Sequence, residues 1–191
     1  IAISRDPRAH LADKLIHVGT RLLLSRNISG LWHQLGSRLG NRKQIGSLEL
    51  ALAEAVGTSS LKAQFHHIEH HRAHLASAFF ASGFAEAAVL SLDGFGDFVS
   101  TMWGHGRDRR IEVLGEVGFP HSLGALYTAV TQWLGFPKYG DEGKVMGLAA
   151  YGDPRRYEHV LQSLVTLHDE GRFAVDGARL RVRDRGPNWV T

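Results

Sequence analysis

Cysteine is absent from the 191 residues of this chain. That absence excludes disulfides and thiol chemistry, and it fits a reducing, cytoplasmic setting. Long apolar runs are missing too. None approaches the roughly 20 residues that a membrane-spanning helix needs, and Arg5, Asp6, Pro7 and Arg8 break the opening stretch where a secretory leader would lie. No membrane partner is therefore expected. An excess of one charge sign is also lacking: 22 Lys and Arg stand against 19 Asp and Glu. A net charge of +3 does not by itself imply nucleic acid, and no aromatic-rich patch accompanies the dispersed basic residues. There is no internal repeat and no low-complexity segment. The chain opens at Ile1 without a methionine and closes at Thr191 amid arginines, so both ends are read as cuts in a longer protein. The hydrophobic share, 43%, is ordinary for a globular domain and sufficient for a core.

What is present is unevenly distributed. Residues 1–60 read as helical. Asp6-Pro7 looks like a cap followed by a proline in the first turn, Ser29 like the cap of a second helix, and Ser47 like the cap of a third that ends at Gly57. This third carries no acid–base constellation and is read as an insertion or cover. From residue 61 the pattern becomes mixed α/β. A short strand is expected at 61–65, a helix at 69–81 with Gly83 beyond it, and a buried apolar strand at 87–92. Further strands are expected at 98–103 and 111–117, and a helix at 123–134 capped by Ser122. Asp153-Pro154 opens a helix over 155–167, and 172–175 with 179–183 form a hairpin around Asp176-Gly177. Arg179, Arg181, Arg183 and Arg185 alternate, which puts them on one strand face. That face is either a charged, solvated edge or a docking face for an anionic ligand or a further domain.

Five of the twelve histidines fall between His66 and His74. Imidazoles repel one another once protonated, whereas neutral imidazole is the commonest metal ligand. Helical spacing pairs His66 with His70, His67 with His71 and His70 with His74. The last pair lies in the most regular helical stretch, followed on its stripe by small Ser77 and Ala81. The residue after His70 is His71 and not glutamate, so the metalloprotease general base is lacking. About twenty residues on, Asp93-Gly94-Phe95-Gly96-Asp97 puts a carboxylate at a strand end, followed by glycines whose backbone a ligand can approach closely. It is either an anion-binding, metal-bridging turn or an ordinary hairpin turn. The stretch 135–152 is glycine-rich around Gly143-Lys144. It lacks the Walker spacing, since Val145 stands where the hydroxyl residue belongs, and it is either a phosphate-holding helix entrance or a solvated loop. His121 precedes a helix start, where the dipole disfavours its protonation; it is either a base or a satisfied structural histidine.

Four stretches, His70–Phe79, Val89–Asp97, Pro120–Tyr127 and Gly143–Ala149, together resemble the N-terminal domain of the nodulation-protein-U and cephamycin-type O-carbamoyltransferases. The resemblance implies an α/β fold of the actin, sugar-kinase and Hsp70 ATPase superfamily: a ribonuclease-H-like half-domain, truncated at both ends, of which 61–191 form part. It implies that carbamoyl phosphate and ATP give a carbamoyl-adenylate in a C-terminal adenylate-forming domain, expected beyond Thr191. The N-terminal domain then passes the carbamoyl group to a hydroxyl of a small-molecule acceptor beside an iron-type divalent metal. His70, His74 and Asp93 match the metal ligands, with a further aspartate expected beyond this segment; zinc or manganese suits the same donors. Gly94, Gly96, Asp97, Gly143 and Lys144 fall in nucleotide-contacting segments, and His121 is the candidate base. Two other readings stay open: a relative of the threonylcarbamoyl-type tRNA-modifying enzymes, and a non-catalytic module that keeps this fold.

Overall fold

The computed structural model describes residues 1–24 and 48–177. The chain divides into two compact units, Ile1–Ile68 and Glu69–Thr191. In the first unit, strand β1 (Ala2–Ile3) pairs in parallel with β2 (His66–His67), and helices α1 (Leu11–Leu24) and α2 (Leu48–Ala55) lie between them in sequence. The helix expected from Asp6-Pro7 begins later. Asp6 Oδ1 accepts the Arg8 N–H at 2.9 Å, and His10 takes a positive φ of 54°, so Asp6 closes a turn and α1 starts only at Leu11. The strand expected at 61–65 is displaced to His66–His67, where the backbone finds partners: His66 N–H and Ile68 N–H donate to the Ile1 and Ile3 carbonyls, each at 2.8 Å. The helix expected from Ser29 lies outside the described residues.

The second unit is built on a three-stranded antiparallel sheet, ordered β3 (Glu86–Gly96), β4 (Val99–Arg107), β5 (Arg110–Gly118). One face is covered by α3 (His70–Ser82). His71, Leu75 and Phe79, four residues apart, form the buried stripe of that helix. Leu75 and Phe79 pack with Val89, Val99 and Met102, and Gly83 ends the helix in the left-handed conformation at φ 76°. Only alternate residues of β3 are buried, which corrects the expectation of a strand buried on both faces. Val89 and Ser91 point into the core, whereas Leu90 and Leu92 stay exposed, as suits an antiparallel sheet covered on one side at that level.

Helix α4 (Leu123–Trp133) is capped by Ser122, whose hydroxyl accepts the Ala125 N–H at 3.0 Å. Helix α5 (Glu142–Ala149) follows, then a 3₁₀ turn at Pro154–Arg156 and the short α6 (Glu158–Gln162). The long helix expected over 155–167 is therefore interrupted. Its C-terminal part is strand β6 (Val165–Leu167), which pairs antiparallel with β7 (Phe173–Val175). That pairing joins 173–175 to the segment before it; the hairpin partner expected at 179–183 lies outside the described residues together with the alternating arginines.

Candidate metal centre

The N-terminus of α3 is closely capped. Four helix-start N–H groups lack intrahelical acceptors. Here Asp97 Oδ2 takes His70 N–H at 3.0 Å, Glu69 Oε1 takes His71 N–H at 2.9 Å and Glu69 Oε2 takes Arg72 N–H at 2.7 Å. The Glu69 carbonyl takes Ala73 N–H at 3.0 Å. Two carboxylates at the positive end of a helix dipole thus fix where the first turn sits.

That turn carries the candidate ligands. His70 Nε2 lies 2.8 Å from Asp93 Oδ2, His74 Nε2 lies 3.0 Å from His70 Nε2, and His74 Nε2 lies 3.6 Å from Asp93 Oδ2. The three ligand atoms fall within 4.8 Å of one another. These separations bring two imidazole nitrogens and one carboxylate oxygen to a single point. Atoms about 2.1 Å from a common ion stand roughly 3.0–3.4 Å apart in octahedral or tetrahedral arrangements, close to the separations found. The donor set therefore fits a divalent cation. Burial pushes the Asp93 carboxyl up, but the hydrogen bonds from the His70 ring and Gly94 N–H and the charge of both histidines outweigh it, leaving the group below the ordinary carboxylate range. Asp93 is thus an anion ready for a cation.

Helical spacing offers three histidine pairs, of which His70 with His74 is the expected one, and the backbone removes the other two. Residues 66–67 are extended, which removes helical spacing to His70 and His71. His67 Nδ1 instead binds the Arg5 carbonyl at 3.0 Å.

Several neighbouring residues have tasks that differ from those expected. A Cβ on Gly96 would fall 1.9 Å from His70 Cδ2, so this glycine makes room for the histidine ring. Asp97 caps α3. Gly94 donates its N–H to Asp93 Oδ1 at 2.6 Å, and its own Cβ position is open space. The start of α4 packs directly on this turn: Ser122 Oγ donates to the Gly94 carbonyl at 2.7 Å, and a Cβ on Gly124 would meet the Asp93 carbonyl at 2.6 Å.

The remaining expected residues sit apart in function. The stretch around Gly143-Lys144 is the exposed helix α5 and not a loop, and Lys144 Nζ pairs with Asp141 Oδ1 at 2.7 Å. Among the described residues, no hydrogen bond or ion pair joins Gly143 or Lys144 to the 93–97 turn. His121 Nδ1 accepts the Val175 N–H at 3.1 Å, and its carbonyl takes the Ser100 hydroxyl at 2.6 Å. An Nδ1 acceptor leaves the proton of a neutral ring on Nε2, so His121 has no lone pair free for a base in this arrangement. It anchors the end of β7.

Two contributors escape sequence reasoning. Glu69 is not among the usual capping residues, although its position just before the helix was a usable signal. His71 is fully buried, and its Nε2–H meets the Val99 carbonyl at 2.9 Å while Nδ1 meets Ser91 Oγ at 2.8 Å. Desolvation by burial depresses its pKa.

The similarity of this chain to known proteins gives its family. Residues 21–185 match the family described as carbamoyltransferase N-terminus. The chain belongs to this family. It is 44% identical over 110 residues to an uncharacterized protein of Synechocystis sp., sll1178, covering 58% of this chain and 18% of that protein. Nodulation protein NolNO of Sinorhizobium fredii is 36% identical over 124 residues, 65% of this chain and 18% of its own length. Nodulation protein NolO of Bradyrhizobium diazoefficiens is 42% identical over 110 residues, 56% and 20% respectively. The chain thus spans about a fifth of the length of these relatives. No helix among the described residues is long and apolar enough to cross a membrane.

Proposed function

We propose that this domain serves an O-carbamoyltransferase. Carbamoyl phosphate and ATP supply a carbamoyl-adenylate, and its carbamoyl group passes to a hydroxyl of a small-molecule acceptor beside a cation held by His70, His74 and Asp93. The observation that carries the reading is the convergence of two imidazole nitrogens and one carboxylate oxygen inside the stretch that defines the family. We also read the three-stranded sheet, with its glycine turn between β3 and β4, as part of an actin, sugar-kinase and Hsp70-type half-domain.

A divalent cation of the iron, zinc or manganese type, when bound, supplies positive charge to the oxyanion that develops on the carbamoyl group and to the departing phosphate. The chain's own part is positioning. His70 is held by its backbone bond to Asp97 and by the space at Gly96, and Asp93 by the Gly94 N–H. His74, half exposed, keeps the assembly open to ligand. In the transfer the acceptor oxygen bonds to the carbamoyl carbon. The carbon–oxygen bond to the adenylate phosphate breaks, its electron pair leaves on AMP, and the hydroxyl proton goes to a base. His121 can take that proton only by releasing the Val175 N–H. Open space at Gly94 and the exposed ammonium of Lys144 are the features that suit the phosphate side of the nucleotide.

The test uses the full-length parent protein loaded with iron(II) and given carbamoyl phosphate, ATP and a panel of hydroxylated acceptors. AMP and pyrophosphate should appear together with a carbamoylated product, and the His70→Ala/His74→Ala double variant should lose both transfer and bound metal. Absence of carbamoylated product across the panel, with AMP and pyrophosphate never formed, sinks the reading.

A further inference from the structure

We propose that His71, which no ligand set includes, is a positioning residue that sets the register of α3 against β3 and so determines where the His70 and His74 nitrogens meet Asp93. This rests on reading the trio as a cation site. Consecutive helix residues, His70 and His71, reach Asp93 and Ser91 at 2.8 Å each. Ser91 and Asp93 are two apart on β3 and therefore share a face. Consecutive helix residues point about 100° apart, so rotating or sliding α3 to relax one tether strains the other. A third bond, His71 Nε2–H to the Val99 carbonyl at 2.9 Å, ties the same ring to β4. The carbonyl only accepts, so Nε2 carries the proton and Nδ1 receives the Ser91 hydroxyl.

Each end of these contacts is buried: His71 and Val99 are 0% and 1% exposed and Ser91 is 6% exposed. Removing the ring leaves two polar groups without partners in a dry site. His74 is half exposed, so the placement of its nitrogen follows the placement of the helix that carries it. Loss of such outer partners weakens metal affinity by about 10–100-fold in known sites.

Cobalt(II) titration of the full chain, followed by its visible absorption bands and by competition with a chelator, provides the test. Wild type should bind cobalt and His70→Ala should not. His71→Phe, matched to wild type by its far-ultraviolet dichroism below its melting point, should bind about 10–100-fold more weakly with shifted bands. His71→Gln, which retains a donor for the Val99 carbonyl, should recover most of the affinity and the band positions. If His71→Phe fails to fold, Ser91→Ala is the milder cut and should shift the bands in the same direction. Wild-type affinity and bands in His71→Phe, or in Ser91→Ala where it substitutes, overturn the proposal. Equal cobalt binding by wild type and His70→Ala overturns the cation site itself, and the positioning role with it.

Discussion

Two stretches of this chain carry ligand-binding signatures in sequence, and the structure treats them differently. In the α3–β3 junction, His71 bonds to buried Ser91, both flanking carboxylates cap the helix, and Gly96 leaves room where the His70 ring lies. Helix α5 has no buried residue, and its lysine pairs with an aspartate three residues earlier. A motif becomes a preformed site when the surrounding fold fixes its side chains before a ligand arrives. The first stretch meets that condition. The second holds its charge at the surface, where a ligand must supply the organisation.

The sharpest way to break this contrast is truncation. Leu75→Ala removes a fully buried side chain beneath the candidate centre and should cost about 2–5 kcal/mol in denaturant unfolding. Met146→Ala in α5, 67% exposed, should change stability by less than about 0.5 kcal/mol. Comparable losses would show that α5 is as constrained as α3. Next in size, Gly96→Ala drives a methyl into the His70 ring. Cobalt affinity should fall about 10–100-fold, with an overpacking cost of about 1–3 kcal/mol; unchanged affinity would return Gly96 to a purely ligand-facing role.

His121→Ala should speed hydrogen exchange at the Val175 amide and cost about 1–2 kcal/mol through the orphaned N–H. A large loss of transfer activity with unaltered exchange would instead favour the base. The smallest effect belongs to Lys144. The hydrogen bond from Lys144, with help from the Lys138 backbone, holds the Asp141 carboxyl below its usual range. A carboxylate whose folded pKa is depressed contributes stability above its unfolded value, about 4, and loses it as pH falls through the folded value. Lys144→Ala should therefore lower the melting temperature slightly near neutrality and flatten its fall below about pH 4, where variant and wild type converge. A steep profile retained in the variant would assign the effect to another carboxylate.

Helix α3, the three strands of the sheet and the Ser122 cap were legible because periodicity and capping are local properties. So was the pairing of His70 with His74, which follows from helical spacing. The errors cluster where a distant partner decides. The strand expected at 61–65 forms instead at His66–His67, because the Ile1 and Ile3 carbonyls receive that stretch of backbone. Residues 165–167 leave the expected helix because 173–175 offer an antiparallel partner. Asp97 and Gly96 fall in a nucleotide-contacting segment by resemblance, and spacing alone cannot show that one accepts a helix-start N–H and the other faces an imidazole 26 residues away in sequence.

By itself the sequence determined which residue types could form a cation site, which helix presents them, and the family to which the stretch belongs. The first two follow from spacing along a helix, which backbone geometry alone fixes, and the family follows from the resemblance of the four stretches. The tertiary structure decided which imidazoles reach Asp93, that His121 anchors β7, and that His71 is buried between two strands. Those outcomes depend on desolvation and on hydrogen-bond partners far away in sequence, and such partners become neighbours only when the chain has folded.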